Sequence, residues 1–388
     1  MAAGKALFAK EDRRLRAVGA KVDIPFLMIL LLVLVTGLTM LYSASYAQSL
    51  YDSGFVTSTR YLQKQAAFAL LGLAAMAAIS RIRPEFWLKL AWPLYFGSVL
   101  LLILVLFFGE TVNGAKRWIN IAGVQFQPSE IAKFTLILLL ARLTTRFGSD
   151  AKTFRYGVLG FGAAMMGILV PLALERHLSA IMLMGMVAVV MMFVAGTPAK
   201  WLLAGIGGAV VFVIVYVSLL GYAGDRITAW FHPEEDPGDT GYQILQSLYA
   251  IGSGGLFGFG LGKSRQKYMY LPFQYNDYIF AVVCEELGLA GALCIIILFS
   301  ALILRGYWIA LRARDRFSTV FAAGLITQIA VQTLLNMGVV SNLLPSTGVA
   351  LPFFSYGGTA LAVNLAEMGV LLSISRYRER AAKQEEIL

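Results

Sequence analysis

The sequence predicts an all-α polytopic membrane protein with about ten transmembrane helices, both termini cytoplasmic and a large extracytoplasmic loop between helices seven and eight. Three observations carry that expectation: an excess of apolar residues, apolar runs of bilayer length, and basic clusters that fall on one side of those runs.

Hydrophobic residues make up 59% of the 388 and charged residues 14%, against about 45–50% and about 25% in soluble domains. A helix needs about 20 predominantly apolar residues to cross a bilayer. Runs of that kind predict spans near 24–45, 62–80, 86–108, 129–145, 156–174, 178–195, 201–221, 278–304, 317–340 and 357–375. No small-residue cleavage site follows the first run, so it is expected to be retained as a span. The chain then divides into a basic cytoplasmic tail, 1–23, one transmembrane domain, 24–375, and a second cytoplasmic tail, 376–388.

The net charge of +10 follows membrane topology rather than nucleic acid. Lys5, Lys10, Arg13, Arg14, Arg16 and Lys21 precede the first span, and Arg81 and Arg83 follow the second. Arg142, Arg146, Lys152 and Arg155 follow the fourth, Arg305, Arg312, Arg314 and Arg316 the eighth, and Arg376, Arg378, Arg380 and Lys383 the last. All lie on one side, which the positive-inside rule makes cytoplasmic. No basic face is left for a polynucleotide. Cys284 and Cys294 sit ten positions apart on one predicted helix, about 15 Å, too far for a disulfide. His177 and His232 are isolated, and no zinc-ligand spacing occurs.

This topology puts residues 221–276 outside, a loop of about 55 residues, far longer than ordinary connections. It is not low-complexity: Trp230-Phe231, a turn-rich stretch from His232 and an apolar-periodic piece from Tyr242 to Ile251 predict short helices against the membrane surface. A second external loop, 109–127, carries Lys116, Arg117 and Trp118, positive charge on the side that topology keeps poor in it. Two readings stand there, an anionic ligand and lipid-headgroup anchoring.

The run Gly258-Phe-Gly-Leu-Gly262-Lys263-Ser264 resembles the end of a phosphate-binding loop. The position that should hold its first glycine is Phe257, and no strand precedes it, so nucleotide binding is rejected. Its glycines suit close approach of backbone to backbone or ligand.

Ionisable residues inside a bilayer are functional hypotheses by default. Glu130 and Lys133 are three apart on one predicted helix face, the spacing of a structural ion pair. Gln328, Gln332 and Asn336 form a polar stripe suited to interhelical hydrogen bonds. Glu285, Glu286 and Glu367 are candidate proton-relay groups of a transporter. Asp277 sits where the long loop enters the eighth span, below the basic residues Lys263, Arg265 and Lys267. It suits a helix cap, a general base beside cations that hold a phosphate leaving group, or a ligand to a divalent cation.

The C-terminal run Asn336-Met-Gly-Val-Val-Ser-Asn-Leu-Leu-Pro345-Ser-Thr-Gly348-Val-Ala-Leu-Pro352-Phe-Phe-Ser355-Tyr356-Gly357-Gly358 resembles the signature of the shape, elongation, division and sporulation (SEDS) family, the FtsW/RodA/SpoVE group of peptidoglycan glycosyltransferases. Three more segments resemble it: Gly114-Ala-Lys-Arg-Trp118 with Gln127-Pro-Ser-Glu130-Ile-Ala-Lys133; Glu235-Asp-Pro237 with Gly241-Tyr-Gln243; and Tyr270-Leu-Pro272 through Asp277-Tyr-Ile-Phe280 with Glu285-Glu-Leu-Gly288. The family's ten spans, internal termini and large external loop agree with the topology above.

The resemblance implies polymerisation of lipid II into glycan strands at the outer face of the membrane, with release of undecaprenyl diphosphate, and places the essential aspartate at Asp277. The chain departs from the family pattern in reading Asn276-Asp277-Tyr278 for Thr-Asp-Phe, and Phe273 for a glutamate. Glu130 and Lys133 match the family's paired Glu and Lys. Candidate substrate-binding residues are Lys116, Arg117, Gln243, Lys263, Arg265, Lys267 and Ser355. A divalent cation, Mg2+ or Mn2+, is the candidate cofactor; the expected partner is a class B penicillin-binding protein, a single-span transpeptidase. The stretches 241–250 and 264–267 lean towards the FtsW/SpoVE branch. The competing classes are a lipid II flippase, with Glu130, Lys133 and the polar stripe along its path, and a scaffold for another cell-wall enzyme.

Overall fold

A computed structural model of the chain describes residues 22–377 apart from 113–114, 122–123, 221–223 and 236–239. The terminal tails fall almost entirely outside the described residues, as do Gly114, Asp236 and Pro237 of the matched motifs.

Each predicted span is a helix: α1 (Ile24–Asp52), α2 (Arg60–Ile79), α3 (Pro84–Phe108), α4 (Pro128–Phe147), α5 (Phe161–Leu174), α6 (Leu178–Val194), α7 (Ala199–Leu220), then, after the long loop, α10 (Ile279–Leu311), α11 (Arg316–Val340) and α12 (Gly358–Arg376). Among the described residues seven helices are long and apolar enough to cross a membrane: α1, α2, α3, α5 with the π-turn before it, α10, α11 and α12. Helix α6, at 17 residues, is apolar but shorter, and α4 carries Glu130, Lys133, Arg142 and Arg146.

The long loop folds as α8 (Gly224–Phe231), a short 3-10 turn and α9 (Thr240–Ser253). The loop between α3 and α4 departs from the helical expectation. It forms a three-stranded antiparallel sheet, β1 (Glu110–Val112), β2 (Ala115–Ile121) and β3 (Val124–Phe126), in the order β1-β2-β3. These strands are too short to show a period-two pattern in the sequence.

Helix α11 is the central post: 83% of its most apolar window is buried, and it packs on α4, α6 and α10. That burial explains why its stripe is polar. Gln328 donates to Glu367 of α12 at 2.9 Å and so binds helix to helix, whereas Asn336 reaches the carbonyls of Asp277 and Val349 in irregular backbone. At the end predicted to be cytoplasmic, Asp23 caps α1 by accepting from the Phe26 amide at 3.0 Å and takes a two-pronged bond from Arg305 of α10 at 2.9 Å per contact. Its own amide donates to Ser375 of α12 at 3.1 Å, so the ends of three helices are fastened together there.

Helix α10 contains a break. Gly288 has φ 66° and ψ −168°, outside the helical region. The freed backbone groups pair with the glycine-rich loop: Phe259 and Gly260 donate to the carbonyls of Glu285 and Glu286 at 3.1 and 2.9 Å, and Leu289 and Ala290 donate to Gly255 and Leu256 at 2.9 and 3.0 Å. A Cβ at Gly258 would lie 2.2 Å from the Glu286 oxygen, so only glycine permits this approach.

Candidate active site

Asp277 lies two residues before α10. The N-cap position falls on Tyr278, so of the readings open for the aspartate the helix cap is not the one adopted. Its segment is irregular backbone, whose polar groups need partners from elsewhere, and the C-terminal signature supplies them. Asn336 of α11 donates to the Asp277 carbonyl at 2.7 Å and to the Val349 carbonyl at 2.8 Å. The Ser355 hydroxyl donates to the Asn276 carbonyl at 2.6 Å and accepts from the Leu351 amide at 2.8 Å. The Tyr356 amide donates to Tyr275 at 2.9 Å. Gln65 of α2 grips the same stretch, donating to the Ser355 carbonyl and accepting from the Gly357 amide, each at 3.1 Å. Rings of Tyr61, Tyr275 and Tyr356 pack around it. Ser355 is therefore occupied in holding backbone. Gly348, at φ +64°, brings the 347–349 turn against Asp277: a Cβ there would lie 3.2 Å from Oδ2.

The basic segment divides in two. Lys263 and Arg265 are exposed, with Arg265 5.3 Å over the Phe259 ring. Lys267, grouped with them in the sequence as a phosphate-binding candidate, is 2% exposed and turned inward. Its ammonium lies 3.3 Å from Glu286, 3.3 Å from Ser43 and close to the Gly262 carbonyl. Glu286 also accepts from the amides of Gly262 and Ser264 at 2.9 and 3.1 Å; Glu285 accepts from Arg265 and Gln266 at 3.0 and 3.3 Å and from the Ser264 hydroxyl. These glutamates clamp the 262–267 segment to α10, and Glu286 also accepts from the Ser43 hydroxyl of α1 at 2.7 and 2.8 Å, so the clamp reaches into the bundle. Gln243 of α9 donates to the Pro272 carbonyl at 3.2 Å, tying α9 to the segment that leads to Asp277.

The third component is β2 with the α5–α6 turn. Lys116 is exposed, its ammonium 3.4 Å from the Leu106 carbonyl. Arg117 donates to the Arg176 carbonyl, which joins the sheet to the turn. Inside, Lys133 Nζ lies 2.8 Å from Glu130 Oε2. The Ser179 hydroxyl donates to the Thr347 carbonyl and so joins α6 to the turn beside Asp277. Asp277, Thr347, the α5–α6 turn and Arg117 are thus joined in series by these contacts.

Within that turn, burial pushes the Glu175 carboxyl up to about 8, against the opposing attraction of Arg117. Burial, with Arg117 and Lys133 adding to it, pushes His177 down to about 3. Glu175 and its closeness to Arg117 are absent from the sequence argument. The available signal was a polar triplet, Glu175-Arg176-His177, set between two apolar spans.

Among the described residues no group of three or more His, Cys, Asp or Glu is placed to hold a metal ion. The single carboxylate of Asp277 fits one mode of divalent binding, in which Mg2+ takes one or two carboxylates and completes its shell with substrate phosphates and water.

Fold and site together define a multi-pass membrane protein whose irregular segment before α10, held by the C-terminal signature, carries Asp277. The chain belongs to the FtsW/RodA/SpoVE family: the family model described as "Cell cycle protein" matches residues 24–380. It is 39% identical over 358 residues to the probable peptidoglycan glycosyltransferase FtsW of Geobacter metallireducens, covering 91% of this chain and 94% of that protein. It is also 39% identical over 362 residues to stage V sporulation protein E of Bacillus subtilis, with 92% and 97% covered. Among solved structures it resembles a chain from a peptidoglycan synthase complex that coordinates polymerization and crosslinking, with TM-score 0.77, 28% identity, and 92% of this chain and 99% of that one covered. The rod shape determining protein RodA of Thermus thermophilus gives TM-score 0.68 and 27% identity, with 92% and 98% covered. Membership places the chain in the cytoplasmic membrane.

Proposed function

We propose that this chain is a peptidoglycan glycosyltransferase that polymerises lipid II at the outer face of the cytoplasmic membrane. One observation carries the mechanism: the Asp277 backbone is fixed by Asn336 and, through its neighbour Asn276, by Ser355, which holds the segment that carries the carboxylate in place. The Asp277 carboxylate takes the proton of the acceptor sugar's hydroxyl. That oxygen bonds to the anomeric carbon of the donor, whose bond to the diphosphate oxygen breaks, and undecaprenyl diphosphate leaves with the bonding electrons. General-base assistance of this kind is typically worth about 10²–10⁴ in rate. Arg117 and Lys116 of β2 and the exposed Lys263 and Arg265 are the candidate partners for the developing diphosphate charge. Asp277 would be the residue to hold a divalent cation, which would supply further charge neutralisation for the diphosphate.

The positive-inside rule, with basic clusters at the cytoplasmic ends of the spans, supports placing Asp277 and the α8–α9 loop outside, where glycan is built. A class B penicillin-binding protein as partner fits the structural likeness to a chain of a synthase complex, and the identities with FtsW and SpoVE favour a role in division or sporulation.

A flippase reading draws on the buried Glu130–Lys133 pair and on Glu367 with Gln328. Detergent separates the two. Purified chain given lipid II in micelles, with no bilayer to cross, should yield glycan polymer and free undecaprenyl diphosphate. Transport reconstituted in vesicles with no polymer in micelles would favour the flippase.

A further inference from the structure

The α5–α6 turn holds a buried carboxylate for which the mechanism above has no use. Glu175 is 2% exposed, yet neither of its carboxyl oxygens has a hydrogen-bond partner. Nδ1 of His177, Oγ1 of Thr347 and Oδ1 of Asn276 are buried in the same condition. About 90% or more of buried polar groups in native proteins are paired, so orphans gathered in one place call for an explanation. These four are linked by short stretches of chain, one hydrogen bond and one close approach. His177 is two residues from Glu175 and from Ser179; Ser179 is bonded to Thr347, and Thr347 precedes Gly348, which abuts Asp277. Asn276 precedes Asp277 itself.

We propose that Glu175 is a substrate-binding residue of the polymerase, its carboxyl and the His177 imidazole hydrogen-bonding hydroxyl and acetamido groups of a sugar while Arg117 faces the adjoining diphosphate. This rests on the glycosyltransferase reading of the site. The charged groups facing the pair are Arg117 from β2 and, from α4, Lys133 with its partner Glu130; Arg176 lies exposed in the turn. With Glu175 raised to about 8 and His177 lowered to about 3, both are uncharged at neutral pH. A neutral carboxyl donates and accepts, and a neutral imidazole has one nitrogen of each kind. Sugar hydroxyls and amides have that same two-way character, whereas a phosphate asks mainly for donors and cations. A deprotonated Glu175 would set a negative charge against the diphosphate, so binding weakens as pH passes about 8.

The test measures binding of lipid II to full-length protein in nanodiscs, on an Asp277→Ala background so that nothing turns over. Glu175→Leu should raise Kd by roughly 10-fold or more, the loss expected when a buried polar contact with a ligand is removed. Glu175→Gln, which keeps the shape and the two-way hydrogen bonding, should bind within a few-fold of the parent at neutral pH and lose the weakening above pH 8. Parent-like Kd in a folded Glu175→Leu protein would overturn the proposal. If the leucine variant does not fold, the glutamine variant decides alone: an alkaline weakening that persists in it excludes Glu175 as the titrating contact. Failure of the glycosyltransferase reading shows separately, as absence of polymer from the wild-type chain.

Discussion

Asn336 is the residue on which the geometry around Asp277 most depends. Its side-chain amide is 1% exposed and supplies the donor for two carbonyls of irregular backbone, those of Asp277 and Val349. Asn336→Leu keeps the volume and removes both bonds, leaving two acceptors unsatisfied at about 1–3 kcal/mol each. A displacement of the order of 1 Å at a reacting group can cost about 10²-fold in rate. The variant should therefore lower the melting temperature and reduce kcat by ~10- to 100-fold with little change in KM. The same scale sets a pH dependence. Glu175 titrates at 4.5 in the unfolded chain and near 8 when folded, so the folded state holds the proton more tightly. Its contribution is fully present below pH 4.5 and is lost as pH rises through 8. His177 has the opposite sign: lowered from 6.5 to about 3, it contributes above pH 6.5 and that contribution is lost as pH falls towards 3. Melting curves of Glu175→Gln should accordingly lack the wild-type decline between pH 4.5 and 8 while keeping the acid decline.

Among elements, the spans were legible because hydrophobicity over 20 residues is a local property that no distant partner can override. Helices of the long loop were legible for the same reason, through the apolar period of 242–251. The sheet at 110–126 was not, since strands of three to seven residues carry too few alternations. Nor was the clamp made by Glu285 and Glu286, which read as relay groups because their partners at 262–266 lie about 20 residues away and meet them only once Gly288 breaks α10. That break and the glycine-rich loop form one device, which makes a paired prediction. Gly258→Ala places a Cβ 2.2 Å from the Glu286 oxygen at a φ of +73°, so folded yield and melting temperature should drop sharply. Gly207→Ala in α7, where nothing lies within 4 Å, should be neutral or stabilising by up to about 1 kcal/mol. Equal behaviour of the two in a thermal melt would contradict the account of the loop.

At the scale of the whole molecule, the C-terminal signature is a brace rather than a second set of reactive groups. Ser355 and Asn336 are 19 positions apart in sequence yet converge on neighbouring carbonyls, at 276 and 277. Sequence alone found the aspartate through family resemblance but assigned Ser355 and Lys267 to substrate, because pairing by Asn276 and Glu286 is a long-range fact. The bundle is fastened at one end by Asp23, Arg305 and Ser375 and at the other by this brace, which holds the segment carrying Asp277, the proposed general base. The most direct measurement is the initial rate of glycan polymerisation from lipid II by purified Asp277→Asn protein, alongside its affinity for lipid II. The amide keeps size and shape but cannot take a proton, so the rate should fall by about 10²–10⁴ while binding stays within a few-fold of wild type. Polymerisation at a near-wild-type rate would contradict the assignment of Asp277 as the general base.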